Sequence, residues 1–62
     1  MTAAQVLRAA VVQLTAAGIA GAARDAKLLL AHAMKIAPDR VTLHLSDAMT
    51  PDAMARLELA LG

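Results

Sequence analysis

The sequence predicts an all-α fold, a small array of about four short helices with short turns. Apolar residues recur at the three-and-four spacing of helix faces, and helix-start and helix-stop residues divide the chain into four segments. No stretch alternates apolar and polar residues as a half-buried strand would. The length of 62 residues allows one domain at most, so residues 1–62 are expected to form a single helical domain.

The first helix is predicted over about residues 3 to 17. Thr2 and Gln5 have the spacing of a capping box, in which each side chain accepts a hydrogen bond from the other residue's backbone N–H. Gly18 suits the left-handed position that follows a last helical turn. The face expected to be buried consists of Leu7, Ala10, Val11, Leu14 and Ala17.

The second helix is predicted from Ala22 to Lys35. Asp25 near its start and Lys35 near its end match the helix dipole. Its expected buried face consists of Ala22, Ala26, Leu29, Leu30 and Ala33. Leu28 falls on the polar side, with Arg24 and His32.

A third, shorter helix is predicted from Pro38 through about Leu45. Proline stops the preceding helix and can open the next one, because a first helical turn does not need the N–H that proline lacks. Val41 and Leu45 are its expected inward pair.

The last helix is predicted from Pro51 to about Leu61, after a loop over residues 46 to 49. Thr50 is placed to cap it, and Pro51 to open its first turn. Its expected core stripe consists of Met54, Leu57 and Leu61. Leu59 falls off this stripe and is expected to be exposed.

The composition predicts a core of small side chains. The chain is 60% hydrophobic but contains no Phe, Trp or Tyr, so Leu, Val, Ile, Met and Ala must form the core. Such side chains bury little area each. We therefore expect marginal stability and a neighbouring domain or second copy against which the chain packs. Met34, Met49 and Met54 are expected to fill gaps in this core.

Charge and cysteine content argue against several classes of protein. The absence of cysteine removes disulfide and zinc-finger frameworks and fits a reducing compartment. The net charge of +1, without a basic run, argues against direct nucleic-acid binding. The uncharged residues 9 to 23 are fewer than the roughly 20 that span a bilayer. A signal peptide is an alternative for them, but the helix signals account for them better.

No set of residues predicts catalysis. The chain has no Gly-rich phosphate loop and no nucleophile elbow. His32 and His44 lack further ligands at a suitable spacing for a metal site. The acidic residues are dispersed, and most lie near helix starts or turns. We expect no catalytic, cofactor-binding or metal-binding residues here.

One segment of the second helix is specific enough to suggest a family. Asp25-Ala26-x-Leu28-Leu29-Leu30-Ala31-His32 follows Ala16-Ala17-Gly18-Ile19 and precedes Thr50-Pro51, which opens a leucine-bearing helix. Over nearly the whole chain, this order resembles the N-terminal helical domain of HemK-type release factor glutamine methyltransferases. Two departures are Gly21-Ala22-Ala23, where the family usually has a Ser-Pro or similar helix start, and Lys27, where it often has an acidic residue.

The resemblance implies a cytoplasmic parent enzyme that methylates the glutamine amide in the Gly-Gly-Gln loop of bacterial peptide chain release factors. The implied cofactor, S-adenosylmethionine, binds a C-terminal Rossmann-like domain that also carries an Asn-Pro-Pro-Tyr motif. Neither that motif nor the cofactor's Gly-rich motif occurs in these 62 residues. The chain is thus expected to lack the catalytic domain and to have no cofactor or activity of its own.

The implied role is to help bind and orient the release factor, beside the protein's own C-terminal catalytic domain. The resemblance covers packing positions and transfers no partner-facing residues. Our candidates for the contact surface come from the exposed faces: Arg24, Lys27, Leu28, Lys35, Arg40 and Leu59.

Two other functions stay open on the sequence alone. One is a free-standing helical interaction module, such as a homodimer that buries Leu28 and Leu59. The other is a small helix-turn-helix DNA-binding protein that uses Arg40, Thr42 and His44 of the third helix. A simpler interpretation of the two leucines is that the second helix contacts neighbours on two sides and that Leu59 is an ordinary exposed apolar residue.

Overall fold

The computed structural model describes residues 1–61 and confirms the all-α fold of four short helices. The helices are α1 (Ala3–Ala16), α2 (Ala22–Met34), a 3₁₀ helix (Pro38–His44) and α3 (Pro51–Leu61). Helix α1 ends one residue before the predicted boundary, and the 3₁₀ helix likewise ends one residue early.

The predicted capping box opens α1. The backbone N–H of Gln5 donates to Thr2 Oγ1 at 3.3 Å, and the N–H of Thr2 donates to Gln5 Oε1 at 2.9 Å. The predicted cap of α3 is also present, since the N–H of Ala53 donates to Thr50 Oγ1 at 3.1 Å. Both helix starts are therefore fixed by the local sequence.

The first turn of α1 is also tied to the loop that precedes α3. The N–H of Ala3 donates to the Asp47 carbonyl at 2.8 Å, and the N–H of Ala4 donates to the Leu45 carbonyl at 2.9 Å. First-turn N–H groups have no acceptor within their own helix, so these bonds satisfy them. The predicted loop is confirmed, and hydrogen bonds connect it to the start of α1.

Helices α1 and α2 end in two separate turns that have the same hydrogen-bond pattern. Gly18 and Lys35 are left-handed, with φ of 80° and 59°. The next residues, Ile19 and Ile36, each donate a backbone N–H to the carbonyl oxygen five residues earlier, at 3.1 and 3.0 Å. The role of Gly18 is confirmed. The prediction that α2 extends through Lys35 is wrong, because the left-handed conformation of Lys35 ends the helix at Met34.

Helix α2 lies at the centre of the fold and packs against α1, α3 and the 3₁₀ helix. Among residues 1–61 seven of the twelve buried hydrophobic residues are alanine, so the Ala-rich core is confirmed. Leu30 and Val41 are the largest fully buried side chains. The twelve residues are Ala3, Val6, Ala10, Leu14, Ala22, Ala26, Leu30, Ala31, Ala33, Val41, Ala53 and Leu57.

Some predicted inward positions are wrong in detail. Ala17 is exposed because the helix ends before it, and Ala3 and Val6 are buried instead. Leu29 is only half-buried, whereas Ala31 is buried, since packing on three neighbours widens the buried arc of α2. The remaining predicted positions that are only half-buried are Leu7, Val11, Leu45, Met54 and Leu61.

Two further contacts connect the elements. Arg56 Nε donates to the Ala33 carbonyl at 2.8 Å, which links α3 to the last turn of α2. The three methionines expected to fill gaps, Met34, Met49 and Met54, are half-buried and pack against the core. That expectation is confirmed.

Candidate functional site

The described residues present a surface for binding rather than a constellation for chemistry. No polar or charged side chain is buried within residues 1–61. Over the same range no three His, Cys, Asp or Glu side chains are grouped closely enough to hold a metal ion. The distinctive features are exposed apolar side chains and the depressions between the helices.

An apolar groove lies where the turn after α1, the middle of α2 and the end of α3 meet. It has a volume of about 370 Å³. Its lining residues are Leu14, Ile19, Asp25, Leu28, Leu29, Ala60 and Leu61. We call this set the apolar groove.

Each side of the groove follows from the local structure. Ile19 is positioned by the left-handed Gly18 turn. Leu28 and Leu29 lie one turn after Asp25 on the same side of α2. Ile19 and Leu28 both line the groove and are 40% and 43% exposed, so the groove presents apolar surface to solvent.

Asp25 supplies the only charge that lines the groove. This residue is half-buried and lies in the first turn of α2, where the helix dipole favours a negative charge. The single salt bridge found in the described part of the chain joins other residues, so Asp25 has no cationic partner there.

The structure brings together three of the six candidate contact residues. Arg24, Lys27 and Leu28 are three and four positions apart on adjacent turns of α2, so their side chains are neighbours. Arg24 is exposed and Lys27 is half-buried. Leu28, which was predicted to lie on this polar side, is exposed.

The other three candidates lie apart from that group. Lys35 is exposed in the turn that ends α2, and Arg40 is exposed on the 3₁₀ helix. Leu59 on α3 is 84% exposed and is not one of the residues that line the groove. Leu28 and Leu59 therefore do not share the groove.

Sequence reasoning missed a contact between His44 and Asp47. His44 Nδ1 lies 2.7 Å from Asp47 Oδ2, and both side chains are partly exposed. The three-residue spacing at a helix end was the available signal. The pair borders a second depression of about 300 Å³, on the side of the fold where Arg56 contacts α2. An exposed pair of this kind adds little stability.

The third element has an unsuitable geometry for DNA recognition. It is a 3₁₀ helix of seven residues rather than an α-helix. Helix-turn-helix proteins place an α-helix in the major groove. Arg40, Thr42 and His44 are thus not presented on a recognition α-helix. Separately, the helices described here are all too short or too polar to cross a lipid bilayer.

Comparison with known proteins gives two matches. A family model described as the PrmC N-terminal domain matches residues 5–62. The chain is 64% identical, over 61 residues, to a release factor glutamine methyltransferase from Cereibacter sphaeroides. This alignment covers 98% of the chain but 22% of the relative, so the chain spans less than a quarter of that protein's length. No solved structure gives a significant match.

Proposed function

The chain belongs to the PrmC N-terminal domain family, and we propose that it is the module with which a glutamine methyltransferase recognises its release factor. The observation that carries this proposal is the unequal coverage of the alignment. Nearly all of this chain, but only 22% of the methyltransferase from Cereibacter sphaeroides, takes part in it. This coverage supports assigning the chain to one domain of a longer protein. The family resemblance is confirmed.

We assign the chemistry of the parent protein to its remaining part. The expected methyl donor is S-adenosylmethionine, and the expected acceptor is the glutamine amide of a Gly-Gly-Gln loop. The residues present do not fit the donor, because the sequence has no Gly-rich loop and residues 1–61 form no parallel sheet to carry one. We expect the parent enzyme in the cytoplasm, because its relative is a release factor methyltransferase.

The contribution of this domain would be positional. Contacts far from the reacting atoms hold a large substrate in a productive orientation and so raise the local concentration of its reactive group. When such contacts act equally on the ground state and the transition state, they lower KM and leave kcat nearly unchanged. A folded release factor offers such remote contacts, whereas a short peptide does not.

We propose that the cations of α2 make this contact. Arg24 and Lys27 are neighbours on one face, and neither forms a salt bridge with another described residue. Their natural counterpart is an acidic surface of the release factor. Lys35 and Arg40 are additional candidate cations at the exposed end of α2 and on the 3₁₀ helix.

A charge-reversal experiment tests this surface. Titration of the chain with a bacterial release factor should give saturable binding that the double substitution Arg24→Glu and Lys27→Glu weakens about tenfold, or about 1.4 kcal/mol. Isothermal calorimetry supplies the dissociation constant, and circular dichroism verifies that each variant is folded. Higher salt should weaken the binding, because exposed charges are screened.

Arg8→Glu is the matched control, since Arg8 is an exposed cation on α1 outside the proposed surface. It should leave the affinity nearly unchanged. Because Arg8→Glu reverses one charge and the double variant reverses two, a loss of about half the free energy in this control would show that net charge alone governs the binding. Undiminished binding by the double variant would remove α2 from the interface.

A further inference from the structure

We propose that the apolar groove is an intramolecular docking site, occupied in the full-length protein by the polypeptide that follows α3. This inference rests on the proposed function in one respect, namely that the chain is the first domain of a longer protein. It adds an occupant for the groove and a reason for the exposure of Ile19 and Leu28.

The path of the chain supports this occupant. Ala60 and Leu61, at the end of α3, are themselves part of the groove wall. Any polypeptide that continues from α3 therefore leaves the domain at the groove. The matching family is an N-terminal domain, and more than three quarters of the methyltransferase relative lies outside the aligned region.

The modest size of the groove favours a tethered occupant over a separate protein. A volume of about 370 Å³ lies near the lower limit of small-ligand pockets. A short linker holds its segment at an effective concentration on the order of millimolar. Even weak apolar contacts are then enough to keep the site filled, whereas a separate protein at low concentration would need a larger interface.

The lining of the groove defines the chemistry of the occupant. Leu28 and Ile19 offer partly exposed apolar surface that an aliphatic or aromatic side chain would cover. Asp25, a half-buried residue, offers a carboxylate without a cationic partner in the described residues. The complementary segment carries one or two apolar side chains and a Lys or Arg that reaches Asp25.

This assignment gives neighbouring side chains of α2 different partners. Leu28 contacts the protein's own chain in the groove, whereas the charged ends of Arg24 and Lys27, beside it, stay available to a release factor. The domain would then be held in a fixed orientation relative to the catalytic part, which a positioning role requires.

Photo-crosslinking in the full-length methyltransferase tests the occupant. Leu28 is replaced with p-benzoylphenylalanine, and Leu43 of the 3₁₀ helix is replaced in the same way as a control, because it is exposed, does not line the groove and is distant in sequence from residue 62. Position 28 should form cross-links within one chain, to residues that follow position 62, in dilute protein without release factor. Position 43 should not. Cross-links between two copies, cross-links only to added release factor, or none to the same chain would overturn the proposal.

A second measurement avoids the bulky probe. In full-length protein, Leu28→Asp should make the segment after α3 several-fold more sensitive to limited proteolysis, and Leu43→Asp should not. Equal sensitivity in the two variants would contradict an occupied groove. Release factor affinity is measured on the same proteins. If the Arg24 and Lys27 variant loses release factor binding while its segment after α3 is cleaved at the normal rate, the two proposals depend on different residues and can fail independently.

Discussion

The conformation of Lys35 ends helix α2 and lowers the stability of the domain. Among residues 1–61 it is the only non-glycine residue with positive φ. Gly18 occupies the corresponding position after α1 with the same hydrogen-bond pattern. A side chain in the left-handed region costs roughly 1–2 kcal/mol, whereas glycine adopts it freely. The turn at Lys35 therefore lowers the stability of the native domain.

Lys35→Gly should raise the free energy of unfolding by about 0.5–1 kcal/mol. The relief of left-handed strain outweighs the extra freedom that glycine gives the unfolded chain. Urea denaturation of the 62-residue chain supplies the measurement. Lys27→Gly, within α2, is the control and should lower stability by about 1 kcal/mol. The left-handed cap would be contradicted if both substitutions destabilised the domain.

Single residues were predictable from the sequence where the signal is local. Gly18, Thr2 and Thr50 act through neighbours a few positions away, and the structure confirms all three. Lys35 was missed because lysine carries no left-handed preference. Arg56 was missed because its hydrogen bond reaches the Ala33 carbonyl, 23 positions away, and depends on how α3 packs against α2.

At the scale of the elements, α2 carries the fold because three neighbours pack against it. Leu30 at its centre is fully buried. A buried leucine truncated to alanine loses both the transfer free energy and the packing around the cavity. A domain of this size is only marginally stable, so the loss of these contributions should have a large effect on folding.

Leu30→Ala should therefore lower the free energy of unfolding by about 3 kcal/mol. A large fraction of the 62-residue molecules should then be unfolded at room temperature. Thermal denaturation followed by circular dichroism measures the loss. Leu59→Ala makes the same chemical change at an 84% exposed position and should alter stability by less than about 0.5 kcal/mol. Similar melting curves for the two variants would mean that α2 is not the centre of the core.

The sequence predicted the number and approximate bounds of the helices well. Caps, prolines and Gly18 act locally and divide the chain correctly. The 3₁₀ geometry of Pro38–His44 and the wide buried arc of α2 were not predictable, because both depend on packing against other elements. Ala17 was assigned to the core because its spacing fits a helix that in fact ends at Ala16.

At the scale of the whole molecule, distant segments create the features that local patterns cannot show. The apolar groove joins Ile19, Leu28 and Leu61, which belong to three different segments. Sequence analysis found only Leu28, as an outward leucine on α2. The link from the first turn of α1 to the loop before α3 likewise had no sequence signal, because it uses backbone carbonyls.

The proposed positioning role predicts how efficiently the full-length enzyme methylates two different substrates. If this domain positions the release factor, its removal should affect a large folded substrate much more than a short one. An intact release factor can contact both the domain and the catalytic part. A peptide containing only the Gly-Gly-Gln loop reaches the catalytic part alone, and so also verifies that the shortened enzyme is still folded.

The most direct measurement compares kcat/KM for both substrates with and without residues 1–61 of the full-length methyltransferase. We expect removal of the domain to lower kcat/KM for the intact release factor at least about tenfold, chiefly through KM, because remote binding contacts are lost. The value for the peptide should stay nearly unchanged. An intact release factor that is methylated as efficiently without the domain would contradict the account, as would an equal loss for both substrates.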